Sequence, residues 1–223
     1  MIIKEFNISD LNLNFFVGIN QIKLDYHNLL DFNTKEKSLN KFFKIIEEIQ
    51  DSYKNSVIQF VKSRYLLNQD HVFTACYYVE KSFLQNINIS NKKNIELLLY
   101  LATNRQISKS MKAFGIEFED LYTNELTYFI LSWENNINYI NNDITENLDS
   151  KNTEIRINHQ TISKINTIMK YFKISDNQIN SVLKSYGINS SNSNDNLEIQ
   201  TLAVYDLICE KMALLHLEKV KID

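Results

Sequence analysis

Few side chains in this sequence could do covalent chemistry, and their spacing does not assemble a catalytic group. His71 and Cys76 are five residues apart in a stretch with helical periodicity. Five steps along a helix leave two side chains about 140° apart, so this pair diverges. An enzyme using a thiol and an imidazole is therefore the least favoured interpretation, and rapid labelling of a native thiol would be its signature.

Metal and phosphate sites are not indicated either. The other cysteine, Cys209, also lies in an apolar helical stretch, so two buried free thiols are expected rather than a disulfide or a four-cysteine zinc site. The histidines lack metal-ligand spacing; they are His27, His71, His159 and His216. The glycines are too far apart for a phosphate-binding loop; they are Gly18, Gly115 and Gly187. We expect a non-enzymatic protein without cofactor or metal.

Charge gives the clearest chemical signal. The chain carries 24 Lys and Arg residues against 27 Asp and Glu, a net charge of −3. Residues 54–112 nevertheless contain nine basic and three acidic side chains, a local charge of +6 that leaves −9 for the remainder. A basic segment in an acidic protein indicates a directed contact with an anion such as nucleic acid, although a solvated helix can carry several lysines by chance.

Composition places these residues in an ordinary globular protein. The 223 residues are 44% hydrophobic and 23% charged, typical of one folded domain, here residues 1–223. The longest apolar run, residues 97–102, is far shorter than the ~20 residues of a membrane-spanning helix. The first residues lack the pattern of a secretion signal. We expect a cytoplasmic protein with no membrane contact.

Hydrophobic periodicity divides the elements into a sheet-forming part, residues 1–133, and a helical part, residues 134–223. Strands are predicted at residues 1–6, 15–24, 56–63 and 127–133, with Gly18 marking a bulge or a close approach. Helices are predicted at residues 37–50, 68–83, 95–101 and 105–114, the last of them closed by Gly115. The sequence thus predicts an α/β (α+β) fold with a small, mostly antiparallel or mixed sheet of about four strands surrounded by helices.

The helical part ends in the longest helix of the chain. Residues 135–147 are predicted to form a weak helix or irregular structure, residues 160–172 and 176–186 two further helices, and residues 188–196 a mobile Asn/Ser-rich loop. The last helix, residues 197–220, is apolar around most of its circumference. This pattern favours a central position, with part of the surface left for a partner.

One stretch of the basic segment has a distinctive residue order. Residues 96–107 read Glu-Leu-Leu-Leu-Tyr-Leu-Ala-Thr-Asn-Arg-Gln-Ile, and Phe-Gly-Ile follows at 114–116. This resembles the signature of the TPRKB-like family of small KEOPS-complex subunits, of archaeal type. The segments at 71–75, His-Val-x-x-Ala, and at 210–217 are also similar to family motifs. The family turn usually holds Gly where this chain has Thr103, and the family's basic residues before His are here Gln69 and Asp70.

The resemblance implies a non-catalytic subunit that docks on the atypical kinase/ATPase subunit of KEOPS and meets the other subunits indirectly. It also implies tRNA recruitment, through the 3′ CCA end, for synthesis of threonylcarbamoyl-adenosine beside the anticodon. A helical protein–protein adaptor without RNA binding is the alternative. A measurement of tRNA binding, made with and without the terminal CCA of the tRNA, distinguishes the two interpretations.

Candidate residues follow from the basic segment and the family motifs, because single-stranded RNA ends need cations, stacking planes and a few polar groups. The RNA-binding candidates are Lys62, Arg64, His71, Lys81, Arg105, Gln106 and Lys109. Arg105 and Gln106 could equally cap the preceding helix, and packing or internal hydrogen bonding is the more common role for Tyr65 and His71. Met212 and Leu215, which flank the polar stripe of the last helix, are the candidate kinase-docking residues.

Overall fold

The computed structural model describes residues 1–24, 34–122, 125–188 and 197–217. Packing divides the chain into two compact units. The sheet unit comprises Met1–Lys62 and Gly115–Ile155, and the helical unit comprises Ser63–Phe114 and Arg156–Asp223. The predicted loop at 188–196 lies outside the described residues except for Ile188. A single domain over residues 1–223 stays a prediction.

The described residues of the sheet unit form five antiparallel strands, which confirms the predicted α+β class. The strands are β1 (Ile2–Ile8), β2 (Leu13–Leu24), β3 (Ser56–Val61), β4 (Leu126–Ser132) and β5 (Ser150–Asn152). Their order is β1-β2-β4-β3, and β5 pairs with the end of β2. The α-helices described in this unit are α1 (Lys35–Ser52), α5 (Phe118–Tyr122) and α6 (Ile137–Asn147). Both β5 and α5 are too short to give a periodic sequence signal.

Gly18 lies in β2 at a close approach between strand and helix. It pairs in register with Ile3 and Ile130, so the strand has no bulge there. A Cβ atom at this position would lie 2.5 Å from Cγ2 of Ile137 on α6. The absence of a side chain therefore lets α6 pack against the sheet, over a core that includes Phe42, Phe60 and Tyr128.

The helical unit is built from six helices among the described residues. They are α2 (Gln69–Leu84), α3 (Lys93–Ala102), α4 (Ile107–Phe114), α7 (Ile162–Phe172), α8 (Asp176–Ser185) and α9 (Leu197–Leu217). Local capping sets several helix ends: Asn68 caps α2, and Ser175 caps α8 in a capping box. Gly187 has a φ of 74° after α8, whereas Gly115 does not adopt a positive φ, so it is not a left-handed cap of α4.

The turn between α3 and α4 is left-handed without a glycine. Thr103 has φ 47° and ψ 41°. Its N–H donates to the Tyr100 carbonyl, and that of Asn104 donates to the Leu99 carbonyl. These two bonds form a Schellman motif, which normally favours glycine at the left-handed position. Thr103 therefore holds a strained backbone that fixes the direction in which α4 leaves α3.

Candidate functional site

The two units carry opposite formal charges. The helical unit has a net charge of +5 and the sheet unit has −8, which together give the −3 of the chain. The basic excess predicted over residues 54–112 is thus concentrated in the helical unit, and helices α7 and α8 extend it with further lysines. An anionic partner is attracted to this unit and repelled by the other.

An aromatic cluster lies beneath one of the predicted RNA-binding residues. Tyr65 stacks on Tyr171 of α7 with ring centroids 4.2 Å apart, and its edge meets Phe114 of α4 at 6.1 Å. The exposed Arg64 guanidinium lies 5.4 Å from the Tyr65 ring centroid. The Arg64 guanidinium is thus an exposed cation held against an aromatic ring, and a cation of this kind can bind a phosphate.

His71 is internal. Its side chain is fully buried, with Nδ1 accepting from the Leu67 N–H at 3.3 Å and Nε2 next to the Leu101 carbonyl at 3.2 Å. Burial lowers its pKa to about 4 despite the opposing Leu101 hydrogen bond, with a smaller lowering from Lys164. The ring is therefore neutral at pH 7 and joins the start of α2 to the end of α3, which offers no cation or surface contact to RNA.

Arg105 and Gln106 have different environments. The Arg105 guanidinium donates from Nη1 to the Leu215 carbonyl at 2.9 Å, near the end of α9. A guanidinium that donates to a backbone carbonyl forms a charge-assisted hydrogen bond, which is stronger than one between neutral groups. Gln106 has an exposed side chain, and its N–H donates to the Asn104 side chain. Arg105 thus joins the start of α4 to α9. The sequence offered two other roles for it, a cap on the preceding helix and an RNA contact, and the RNA contact stays a prediction.

Two of the predicted lysines also have local partners. Lys62 belongs to the sheet unit and pairs with Glu117 at 3.1 Å and Asp120 at 3.7 Å. Lys81 lies 5.8 Å from the Tyr77 ring centroid. It is ten residues beyond His71 on α2, so about 15 Å separates it from the α2 end next to Leu101. Lys81 and the α4 residues are therefore at opposite ends of the α2–α3 pair.

Beside Lys81, buried carboxylates organise the start of α3. Lys93 donates to both oxygens of Glu80, whose side chain is 2% exposed, at 2.6 and 2.7 Å. The fully buried Glu96, first residue of the family motif, accepts from the Ile89 and Ser90 backbone N–H groups. The Glu of the motif is therefore a structural residue that holds the preceding loop.

The helical unit therefore brings together only part of the predicted set. The short 3-10 turn carrying Arg64 packs against both α4, which bears the exposed Lys109, and α7. Sequence analysis did not identify Tyr171. An aromatic residue flanked by Lys170 is a weak signal, and its stacking on Tyr65 depends on a tertiary contact between distant segments.

Met212 and Leu215 are buried, at 0% and 4% exposure, so neither side chain is accessible in this conformation. The cause is that α9 packs against α2, α3, α7 and α8. Among the α9 side chains whose burial is described, the exposed large apolar ones are Leu202 and Leu214. Those of α4 are Ile107 and Met111, at 43% and 47% exposure. These four residues are the apolar surface that the described part of α4 and α9 offers to a partner.

Both cysteines are free thiols, and Cys209 is partly exposed, unlike the two buried thiols expected from the sequence. Cys76 is buried, and burial raises the pKa of its thiol, so the nucleophilic thiolate is disfavoured. No group of three or more His, Cys, Asp or Glu side chains is placed to hold a metal ion within the described ranges. Over the same ranges, no helix combines the length and apolar character needed to cross a bilayer.

Comparison with known proteins gives one finding. A family model described as kinase binding protein CGI-121 matches residues 37–216. The match covers most of the chain, begins after β2, and includes the entire Arg64–Tyr171 cluster. A search of curated proteins finds no match.

Proposed function

The chain belongs to the family of the kinase binding protein CGI-121, and from this membership we propose a specific role. It is the small, non-catalytic subunit of a cytoplasmic KEOPS complex, where it binds the atypical kinase/ATPase subunit and recruits tRNA for synthesis of threonylcarbamoyl-adenosine. Kinase binding is the family property, and tRNA binding is the additional step of the proposal.

The separation of charge between the two units carries the tRNA proposal. A net charge of +5 on the helical unit attracts the phosphate backbone of RNA, and a net charge of −8 on the sheet unit disfavours RNA binding there. Arg64 above Tyr65 supplies a cation next to an aromatic surface, as a single-stranded 3′ end requires. In this proposal Arg64, Gln106 and Lys109 contact RNA, whereas His71 and Arg105 position the backbone that carries them.

Kinase docking requires apolar side chains that are accessible in the free protein. Since Met212 and Leu215 are buried, the proposal assigns docking to the exposed side chains of α4, Ile107 and Met111. Burying one such side chain contributes ~1.5–3 kcal/mol, so two can dominate a complex of moderate affinity.

An electrophoretic mobility shift assay with the full chain and one tRNA tests the RNA step. Binding should weaken with salt, by ~0.7 log units of affinity per log unit of salt for each phosphate contact on a single strand. Removal of the 3′ CCA should reduce affinity more than changes to the anticodon loop. Equal binding of intact and trimmed tRNA would leave only a general attraction between opposite charges.

A helical protein–protein adaptor without RNA binding is the second candidate. The observation that favours it is the internal bonding of three predicted RNA ligands: His71 is buried, Arg105 bonds to Leu215, and Lys62 pairs with Glu117. The same assay decides, because an adaptor shows no salt-dependent affinity for tRNA while still binding the kinase.

A further inference from the structure

The two end strands of the sheet differ in how their outer edges are covered. The strand order β1-β2-β4-β3 places β1 at one end and β3 at the other. Along β3, the Gln50 side chain of α1 takes the place of a further strand. Its Oε1 accepts from the Ile58 N–H at 2.8 Å, and its Nε2 donates to the Ser56 carbonyl at 2.5 Å. Since these backbone groups are occupied, the β3 edge is closed to another chain.

Strand β1 forms the opposite edge, and its residues Ile2–Ile8 pair with β2 without a bulge. No other strand that the structure describes pairs with it. Ile3, Glu5 and Asn7 are exposed, and the alternation of a strand places their side chains on one face. A terminal strand directs every second N–H and C=O away from its neighbour, so β1 can receive one more strand.

An apolar patch lies at this edge. Ile3 is 44% exposed and Met1 is 39% exposed. Ile3 lies opposite Gly18 of β2, which has no side chain to cover it, and Sδ of Met1 lies 3.5 Å from the position that a Gly18 Cβ atom would take. Met1 and Ile3 therefore form one patch beside Gly18. A β-branched side chain exposed on an edge strand favours pairing with another strand.

A second copy of the chain fits this edge. About a two-fold axis perpendicular to the sheet, two β1 strands pair antiparallel, and residues of the same face lie opposite each other. Pairing centred on Lys4 or Glu5 would place like charges directly opposite each other, which is destabilising. Pairing centred on Phe6 would leave the apolar patch uncovered, and centres nearer either end would shorten the paired stretch. Pairing centred on Ile3 sets Ile3 against its own copy and Met1 against Glu5, with no like charges opposed.

We propose that two copies of this chain form a dimer by antiparallel pairing of their β1 strands about Ile3, which joins the two sheets into one. The dimer covers Ile3 and Met1 of both copies and gives partners to the outward backbone groups of β1. This inference does not depend on the proposed function, since β1 precedes residues 37–216, the stretch that the family model matches.

Two opposing terms make the dimer weak. One pair of strands buries less surface than a standard protein interface. Each copy also brings a sheet unit with a net charge of −8, so the two copies repel each other at low salt. Added salt screens this repulsion and should strengthen the dimer, whereas it should weaken tRNA binding.

Charges placed at Ile3 test the register of the pairing. In the proposed dimer Ile3→Lys sets two ammonium groups opposite each other, and Ile3→Glu sets two carboxylates opposite each other. Each variant alone should therefore be monomeric, and an equal mixture of the two should form a heterodimer through Lys–Glu pairs. Ile162→Lys and Ile162→Glu are matched controls, at an apolar side chain of the helical unit that is 67% exposed.

Sedimentation equilibrium of the full-length chain, from micromolar to millimolar concentration, gives the dissociation constant of each variant and of the mixture. Thermal unfolding verifies the fold of each variant. The unaltered chain should show a reversible equilibrium between monomer and dimer. Each Ile3 variant should weaken the dimer at least about tenfold, and the mixture should recover the original affinity to within about threefold. Both Ile162 variants should dimerise as the unaltered chain does.

Three results would overturn the inference. If the unaltered chain is monomeric throughout this range, or dimerises less as salt rises, β1 does not pair with its own copy and its edge is left to another protein. If either Ile3 variant dimerises as strongly as the unaltered chain, the interface lies elsewhere. If both variants and their mixture are monomeric, the two Ile3 side chains do not face each other, and pairing about Ile3 is refuted.

Discussion

The strained residue between α3 and α4 gives a prediction about stability. Thr103 is a β-branched residue at φ 47° and ψ 41°, the C′ position of a Schellman motif. A left-handed conformation costs a non-glycine residue ~1–2 kcal/mol, because Cβ crowds the following carbonyl oxygen. Thr103→Gly removes that cost and keeps both backbone hydrogen bonds of the motif.

The opposing term is the greater freedom of glycine in the unfolded chain, which costs ~0.5–1 kcal/mol. The free energy of unfolding should therefore rise by ~0.5–1 kcal/mol. For a chain of this size, 1 kcal/mol corresponds to a Tm change of ~2–4 °C. The variant should thus melt at a temperature that is higher by ~1–4 °C.

Urea unfolding followed by circular dichroism measures the change in the free energy of unfolding. Lys173→Gly, at the left-handed position after α7 with φ 53°, should stabilise similarly. Lys170→Gly, inside α7, should lower the free energy of unfolding by ~1 kcal/mol. If Thr103→Gly destabilises as much as Lys170→Gly does, the strain argument is refuted, and contacts of the threonine side chain outweigh the backbone cost.

Other predictions concern buried groups. The pKa of His71 is about 4 in the folded protein and 6.5 in the unfolded chain, so the unfolded chain binds a proton more readily. The free energy of unfolding should therefore fall by ~1.4 kcal/mol per pH unit as pH falls from 6.5 towards 4. His71→Gln should lose that slope in chemical denaturation at each pH. Lys93→Met should lower the free energy of unfolding, because it removes the two charge-assisted hydrogen bonds that Lys93 donates to the buried Glu80 carboxylate, and a double-mutant cycle with Glu80→Gln should measure the coupling between the two residues. Gly18→Ala should cost ~1–3 kcal/mol through its clash with Ile137, and nearly nothing in an Ile137→Ala background.

Local signals in the sequence predicted most of the elements. The strands at β2 and β4 and the helix capped by Asn68 follow from hydrophobic periodicity and side-chain capping, which depend on neighbouring residues. The close approach at Gly18 was one of two alternatives, and the structure selects it because α6 packs there. Short elements such as β5 carry too few residues for a periodic signal.

The candidate site was harder to predict because it depends on tertiary packing. The apolar circumference of α9 predicted a partly exposed face, but four helices bury Met212 and Leu215. The positive charges were visible in the sequence. The sequence does not show which positive charges have partners inside the protein. The partner of Arg105, for example, is the carbonyl of Leu215, on a helix much later in the chain.

Charge reversal in each unit tests most directly the claim that tRNA binds to the helical unit. Arg64→Glu with Lys109→Glu alters two exposed cations of the helical unit, and Lys54→Glu with Lys151→Glu makes the same net change in the sheet unit. In mobility shift assays at low salt, the first full-length variant should lose at least about tenfold in tRNA affinity, and the second should change by less than about threefold. Equal losses in both variants would contradict the account, because binding would then follow total charge rather than a surface of the helical unit.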